Sequence, residues 1–71
     1  MLGNLRQLRL FLAVAALGSP SRAAAACGVS QPAVSQALTR LEAQTGGALF
    51  DRVRRGFFLT DRGRVFDGRL R

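Results

Sequence analysis

The sequence predicts a mainly α fold of the winged helix-turn-helix type: a three-helix core, a two-stranded wing and a closing helical segment. Three observations carry that prediction. Apolar residues recur at helical spacing as far as Leu41. Gly18 and Gly28 cut that stretch into three helical pieces, the second cut followed at once by a Ser-Gln-Pro helix start. From Leu49 the period shortens to that of strands on either side of an Arg54-Arg55-Gly56 tip.

The first helix is marked by Leu5, Leu8, Phe11, Leu12 and Ala15, a stripe expected to face the core, with Arg6, Gln7 and Arg9 off it. Leu10, Val14 and Leu17 form a second stripe, read either as ordinary surface hydrophobicity or as a surface that another helix covers. A competing reading makes this segment a secretory signal, with Arg6 and Arg9 as the charged region, residues 10–17 as the apolar region and Ala24-Ala25-Ala26-Cys27 as a cleavage site. The product would be a secreted basic peptide of roughly 45 residues, too short for a core without a disulfide or metal. A folded helix is the preferred reading.

Ser19 caps the second helix with Pro20 at its first position, where a missing N–H is harmless, and residues 22–27 continue it. Gly28 supplies the positive φ of a tight turn, and Val29 anchors the corner. Ser30 caps the third helix, which tolerates Pro32 in its first turn. There Val34, Ala37, Leu38 and Leu41 share one face, while Pro32, Ser35, Gln36, Thr39 and Arg40 share the opposite one with Gln31 at its edge. Short amides and hydroxyls on an outward face beside a helix N-terminus suit base edges and phosphate oxygens.

In the "LFDRVRRGFFLT" stretch, alternation puts Phe57 and Leu59 on one face of the second strand and Phe58 on the other. The arginine tip can reach a minor groove or phosphates. Thr60 caps a last helix with Asp61 in its first turn, and Gly63 and Gly68 weaken that helix by about 1 kcal/mol each.

The chain has 71 residues, enough for one domain, and a domain of this size buries only about 60 % of its unfolded surface. Its 11 basic residues, all arginine, face 4 acidic ones, giving a net charge of +7. That balance favours a polyanionic partner, either nucleic acid or an anionic membrane surface. The single cysteine, Cys27, cannot form an internal disulfide, and histidine is absent. With no nucleophile–base pair, metal-ligand cluster or phosphate-cradling glycine loop, neither catalysis nor a bound cofactor or metal is expected. No apolar run approaches the ~20 residues needed to span a bilayer.

The blocks "LRQLRLFLAVA", "GSPSRAAAACGVSQPAVSQALTRLE", "GGALFDR" and "LTDRG" resemble, in order and spacing, the N-terminal domain of LysR-type transcriptional regulators. The resemblance implies that Gln31, Pro32 and Ser35 enter the major groove and that Arg55 approaches the minor groove. It also implies a winged domain over residues 1–60 and, over 61–71, the start of a linker helix that pairs two subunits and leads to an effector domain absent from this chain. The chain is thus expected to be a fragment or a truncated product. Gln36 stands where many members have arginine, and Thr39 where a basic residue is frequent. Pro20 replaces a usual Phe, Cys27 and Thr45 usual leucines, and Arg62 a usual Ala, so a core short of volume is expected, with Cys27 inside it. Glu42 and Arg52 match recurrent positions and can form an ion pair, worth little if exposed.

Together these readings predict sequence-specific binding of double-stranded DNA by a bacterial transcriptional regulator acting as a homodimer in the cytoplasm, at the nucleoid. The expected contact set is Ser30, Gln31, Pro32, Ser35, Gln36, Arg40, Arg54 and Arg55. The alternative is a winged helix used for protein interaction or dimerisation, its charge serving solubility.

Overall fold

The structure, a computed structural model, describes residues 2–70, with side-chain packing from Leu5 onward. Its elements are α1 (Leu2–Leu17), α2 (Pro20–Cys27), α3 (Gln31–Thr45), β1 (Phe50–Val53), β2 (Gly56–Leu59) and α4 (Asp61–Leu70). The helix starts follow the local chemistry. Ser19 Oγ accepts a hydrogen bond from the Arg22 amide at 3.1 Å, and Ser30 Oγ one from the Ala33 amide at 3.3 Å. Each cap satisfies a donor that the first helical turn leaves free. At the turn between α2 and α3, Gly28 takes the left-handed conformation, with φ 69°, and the Val29 amide donates back to the Ala24 carbonyl at 3.0 Å. This is a Schellman-type closure, which an L side chain at Gly28 would strain.

The core joins Leu10, Phe11 and Val14 of α1, Ala23 and Ala24 of α2, Val34, Ala37, Leu38 and Leu41 of α3, and Leu49 with Phe50. On α3 the buried face coincides with the one read from the sequence. On α1 it does not. The stripe expected inward is only partly so: Leu5 is 55 % exposed and Leu8, Leu12 and Ala15 are half-buried, whereas Leu10 and Val14, expected under a further helix, lie in the domain's own core. A helix that is apolar around most of its circumference leaves its rotation about its axis to be decided by the partners it packs against.

The wing is an antiparallel hairpin that pairs Phe50 with Leu59 and Val53 with Gly56. Phe57 and Leu59 turn toward the core and Phe58 outward, as alternation requires. Phe50 and Phe11 meet as tilted rings at 5.2 Å between centroids, and Phe66 of α4 meets Phe11 edge-on at 5.1 Å, so α4 docks on α1 through rings. Thr60 links the end of the sheet to α4, donating to the Ala48 carbonyl at 2.8 Å and accepting from the Gly63 amide at 3.0 Å. Gly63 itself is buried against the Leu49 carbonyl, where a methyl group would overlap the backbone. The glycine expected only to weaken α4 is therefore what lets that helix lie close to the chain before β1.

The expected shortage of core volume is not found at the substituted positions. Pro20 and Thr45 are half-buried at helix ends, and Cys27 is exposed rather than internal. Gly28 turns the chain immediately after Cys27, so Val29 packs against the core instead. Glu42 and Arg52 do pair, at 2.8 Å, and the second carboxylate oxygen of Glu42 accepts from the Leu49 amide at 2.9 Å.

Candidate nucleic-acid interface

Helix α3 presents its polar residues in two adjacent rows. Gln31, Ser35 and Thr39 make one row at steps of four, and Pro32, Gln36 and Arg40 make the other; all six are exposed. Behind them Val34, Ala37, Leu38 and Leu41 are buried, which fixes the helix so that the amides and hydroxyls point to solvent. Ser30, also exposed, uses one lone pair on the Ala33 amide and keeps its O–H as a donor. The structure thus brings six of the eight expected contact residues, Ser30, Gln31, Pro32, Ser35, Gln36 and Arg40, onto one continuous surface at the N-terminal and outer side of α3.

Arg54 and Arg55 form a separate exposed patch at the hairpin turn. The start of β2, next to the tip, is tied to the corner between α1 and α2, where the Phe57 amide donates to the Gly18 carbonyl at 2.9 Å. Gly56, at φ 142°, is pressed against the same carbonyl: a Cβ there would sit 2.7 Å from the oxygen. Arg52, on the strand below, is engaged by Glu42 and lies over the Phe57 ring at 5.5 Å. It serves packing while the two tip arginines stay in solvent.

Sequence reasoning missed a contribution from α1. Arg6 and Gln7 line a cleft of about 120 Å³ together with Gln36 and Arg40 of α3. Gln7 was placed off the core stripe, yet it is 92 % buried, being 8 % exposed. The available signal was its position one turn before Leu10 and Phe11, on what proves to be the inward face.

No group of three or more His, Cys, Asp or Glu able to hold a metal is found among the described residues, and no helix there is long and apolar enough to cross a membrane. The arrangement is that of a winged helix-turn-helix module: a short two-helix corner, an outward polar helix face and a basic hairpin.

Comparison with known proteins identifies the family. Residues 5–64 match the bacterial regulatory helix-turn-helix proteins of the LysR family, and the chain belongs to that family. It is 50 % identical over 63 residues to the HTH-type transcriptional regulator BudR of Klebsiella aerogenes, a match covering 89 % of this chain and 44 % of BudR. It is 48 % identical over 68 residues to the small neutral protease regulatory protein of Streptomyces coelicolor, covering 96 % of this chain and 21 % of the relative. The chain therefore spans less than half the length of these relatives. Among solved structures it is similar to the CbnR DNA-binding domain in complex with DNA, with a TM-score of 0.84 and 42 % identity over 92 % of this chain and 77 % of that one. The BenM DNA-binding domain on the benA site 1 DNA gives 0.86 and 34 %, over 92 % and 73 %.

Proposed function

We propose that the chain is the DNA-binding unit of a bacterial transcriptional regulator that recognises a specific sequence in duplex DNA. The observation that carries this reading is the outward polar face of α3, fixed by four buried aliphatic positions, in a fold that matches domains solved on DNA. In this reading α3 enters the major groove, where Gln31, Ser35 and Gln36 meet base edges and Ser30 and Pro32 set the approach. Arg40 takes a phosphate, and Arg54 with Arg55 reach phosphates or the adjacent minor groove.

The natural partner of such a unit is a second copy. Leu5 of α1 and Val65 of α4 are 55 % and 59 % exposed, large apolar side chains left for something to cover. We read residues 1–60 as the winged domain and 61–71 as the start of a linker helix that pairs two subunits in a longer, cytoplasmic regulator acting at the nucleoid. Two half-sites about one helical turn apart, or a multiple of that, would then be occupied together.

Titration of the chain against duplex DNA at several salt concentrations tests the proposal. Binding that weakens linearly in log–log form with salt is expected, as arginines displace condensed counterions. Absence of binding, or indifference to salt, would overturn it in favour of a protein-interaction module.

A further inference from the structure

We propose that the cleft between α1 and α3 is a clamp for one backbone phosphate of duplex DNA, closed by Arg6 and Arg40 and braced from below by Gln7. The proposal rests on the DNA-binding reading and extends the contact surface from α3 to α1.

The cleft is about 120 Å³, lined by Arg6, Gln7, Ala33, Gln36, Ala37 and Arg40. That is the scale of a small anion rather than of an organic ligand. Two cations and two amides line it, without a carboxylate. Gln36 and Arg40 also belong to the outward face of α3, so the cleft opens at the margin of the surface proposed to face the groove, where a sugar–phosphate strand runs.

An unmet demand lies behind its lining. Gln7 is 92 % buried, and its Oε1 has no hydrogen-bond partner. A buried carbonyl oxygen without a donor is unfavourable and uncommon. A phosphate offers only acceptors and cannot satisfy it. The donors available around the cleft are the Gln36 amide and the guanidinium groups of Arg6 and Arg40. A guanidinium has five N–H groups in a rigid fork, so one can go to Gln7 Oε1 while others fork onto phosphate oxygens. Bound DNA would hold the arginine in place for both acceptors at once; in free solution its head stays hydrated, and Gln7 goes unpaired. Gln7 is thus a positioning residue, and the phosphate contacts are made by the arginines.

The test uses the 71-residue chain with Arg6→Ala, Arg6→Lys and Gln7→Leu, each followed for duplex affinity against salt and for melting temperature. A phosphate contact contributes a slope of about 0.9 in log affinity against log salt, so losing one narrows the gap between parent and variant about 3.5-fold from 50 to 200 mM salt. Arg6→Ala is expected to lower the slope by that amount and to weaken specific and unrelated duplexes equally, with Arg6→Lys restoring the slope. Gln7→Leu is expected to melt no lower than the parent yet to bind every duplex more weakly. An unchanged slope in Arg6→Ala would overturn the clamp. A stable Gln7→Leu variant with unchanged affinity would make Gln7 a core residue only and overturn its bracing role. Failure of the parent chain itself to bind duplex would instead remove the DNA-binding reading beneath the proposal. Adding inorganic phosphate alone separates the source: perturbation of the Gln7 side-chain amide NMR signals by duplex supports the clamp, while perturbation by phosphate and not by duplex makes the cleft a free-anion site and overturns it.

Discussion

The Arg62 guanidinium donates to the Thr45 carbonyl at 2.9 Å and crosses the face of Gly47, so the first turn of α4 is tied to the end of α3. Thr45 also back-bonds through its hydroxyl to the Leu41 carbonyl at 3.0 Å. The guanidinium head satisfies a carbonyl that the helix end leaves open. A Cβ on Gly47 would lie 2.8 Å from Arg62 Nε, and Gly47 has no positive φ to protect.

Gly47→Ala is therefore expected to displace Arg62 and to destabilise the domain by about 0.5–1.5 kcal/mol, the worth of one net hydrogen bond. In an Arg62→Ala background the same change should be neutral or stabilising, because it restricts only the unfolded chain. A double-mutant cycle on chemical denaturation midpoints checks this; simple additivity would refute the coupling.

Glu42 and Arg52 should prove unequal. Glu42 holds the amide of Leu49, a fully buried residue, as well as Arg52. Glu42→Ala leaves that N–H unpaired and is expected to cost about 1–3 kcal/mol. Arg52→Ala removes a partly exposed pair and a contact with the Phe57 ring, an effect of about 1 kcal/mol. Melting of the two variants side by side measures the difference, and equal losses would mean that the ion pair rather than the Leu49 bond matters.

The two glycines of α4 should respond in opposite directions. Gly68→Ala meets open space and is expected to stabilise by about 0.5–1 kcal/mol, from helix propensity. Gly63→Ala drives a methyl group into the Leu49 carbonyl and the Leu59 side chain and is expected to destabilise by about 1–3 kcal/mol, loosening α4 from the sheet. Thermal melts, with hydrogen exchange of the α4 amides, separate the two.

On DNA, Gln31→Ala should erode the preference for the proper site by about 1–3 kcal/mol if its amide reads a base edge. Replacing Arg54 and Arg55 by alanine should weaken all duplexes alike and lower the salt slope by about one per lost phosphate contact. Competition binding with specific and scrambled duplexes makes the comparison. A uniform loss from Gln31→Ala would remove that residue from base reading.

How much of this was legible in the sequence depended on how sharply each segment contrasts its two faces. In α3 the aliphatic and polar residues alternate cleanly at helical spacing, so its buried face and its contact surface could both be read. In α1 the leucines run around most of the circumference, and the choice between Leu5 and Leu10 as core was made by α2, α3 and the sheet, which the local pattern does not contain. A buried Gln7 runs against the polarity of its side chain and is signalled only by its place one turn before Leu10 and Phe11. Gly63 looks like a weak point in a helix until the Leu49 carbonyl is placed beside it. Cys27 sits at core spacing after Ala23 and Ala24, but it is the last residue of α2 and is exposed there, at the edge of a cleft beside Leu5, Leu10 and Val29.

The bond from the Phe57 amide to the Gly18 carbonyl has a consequence for divergence within the family. It joins backbone to backbone, and the hairpin above it ends in two solvent-facing side chains. The angle at which the tip leaves the domain is thereby set without reference to which residues the tip carries. A change at position 54 or 55 that trades charge for reach or for neutrality therefore leaves the bracket that aims it in place.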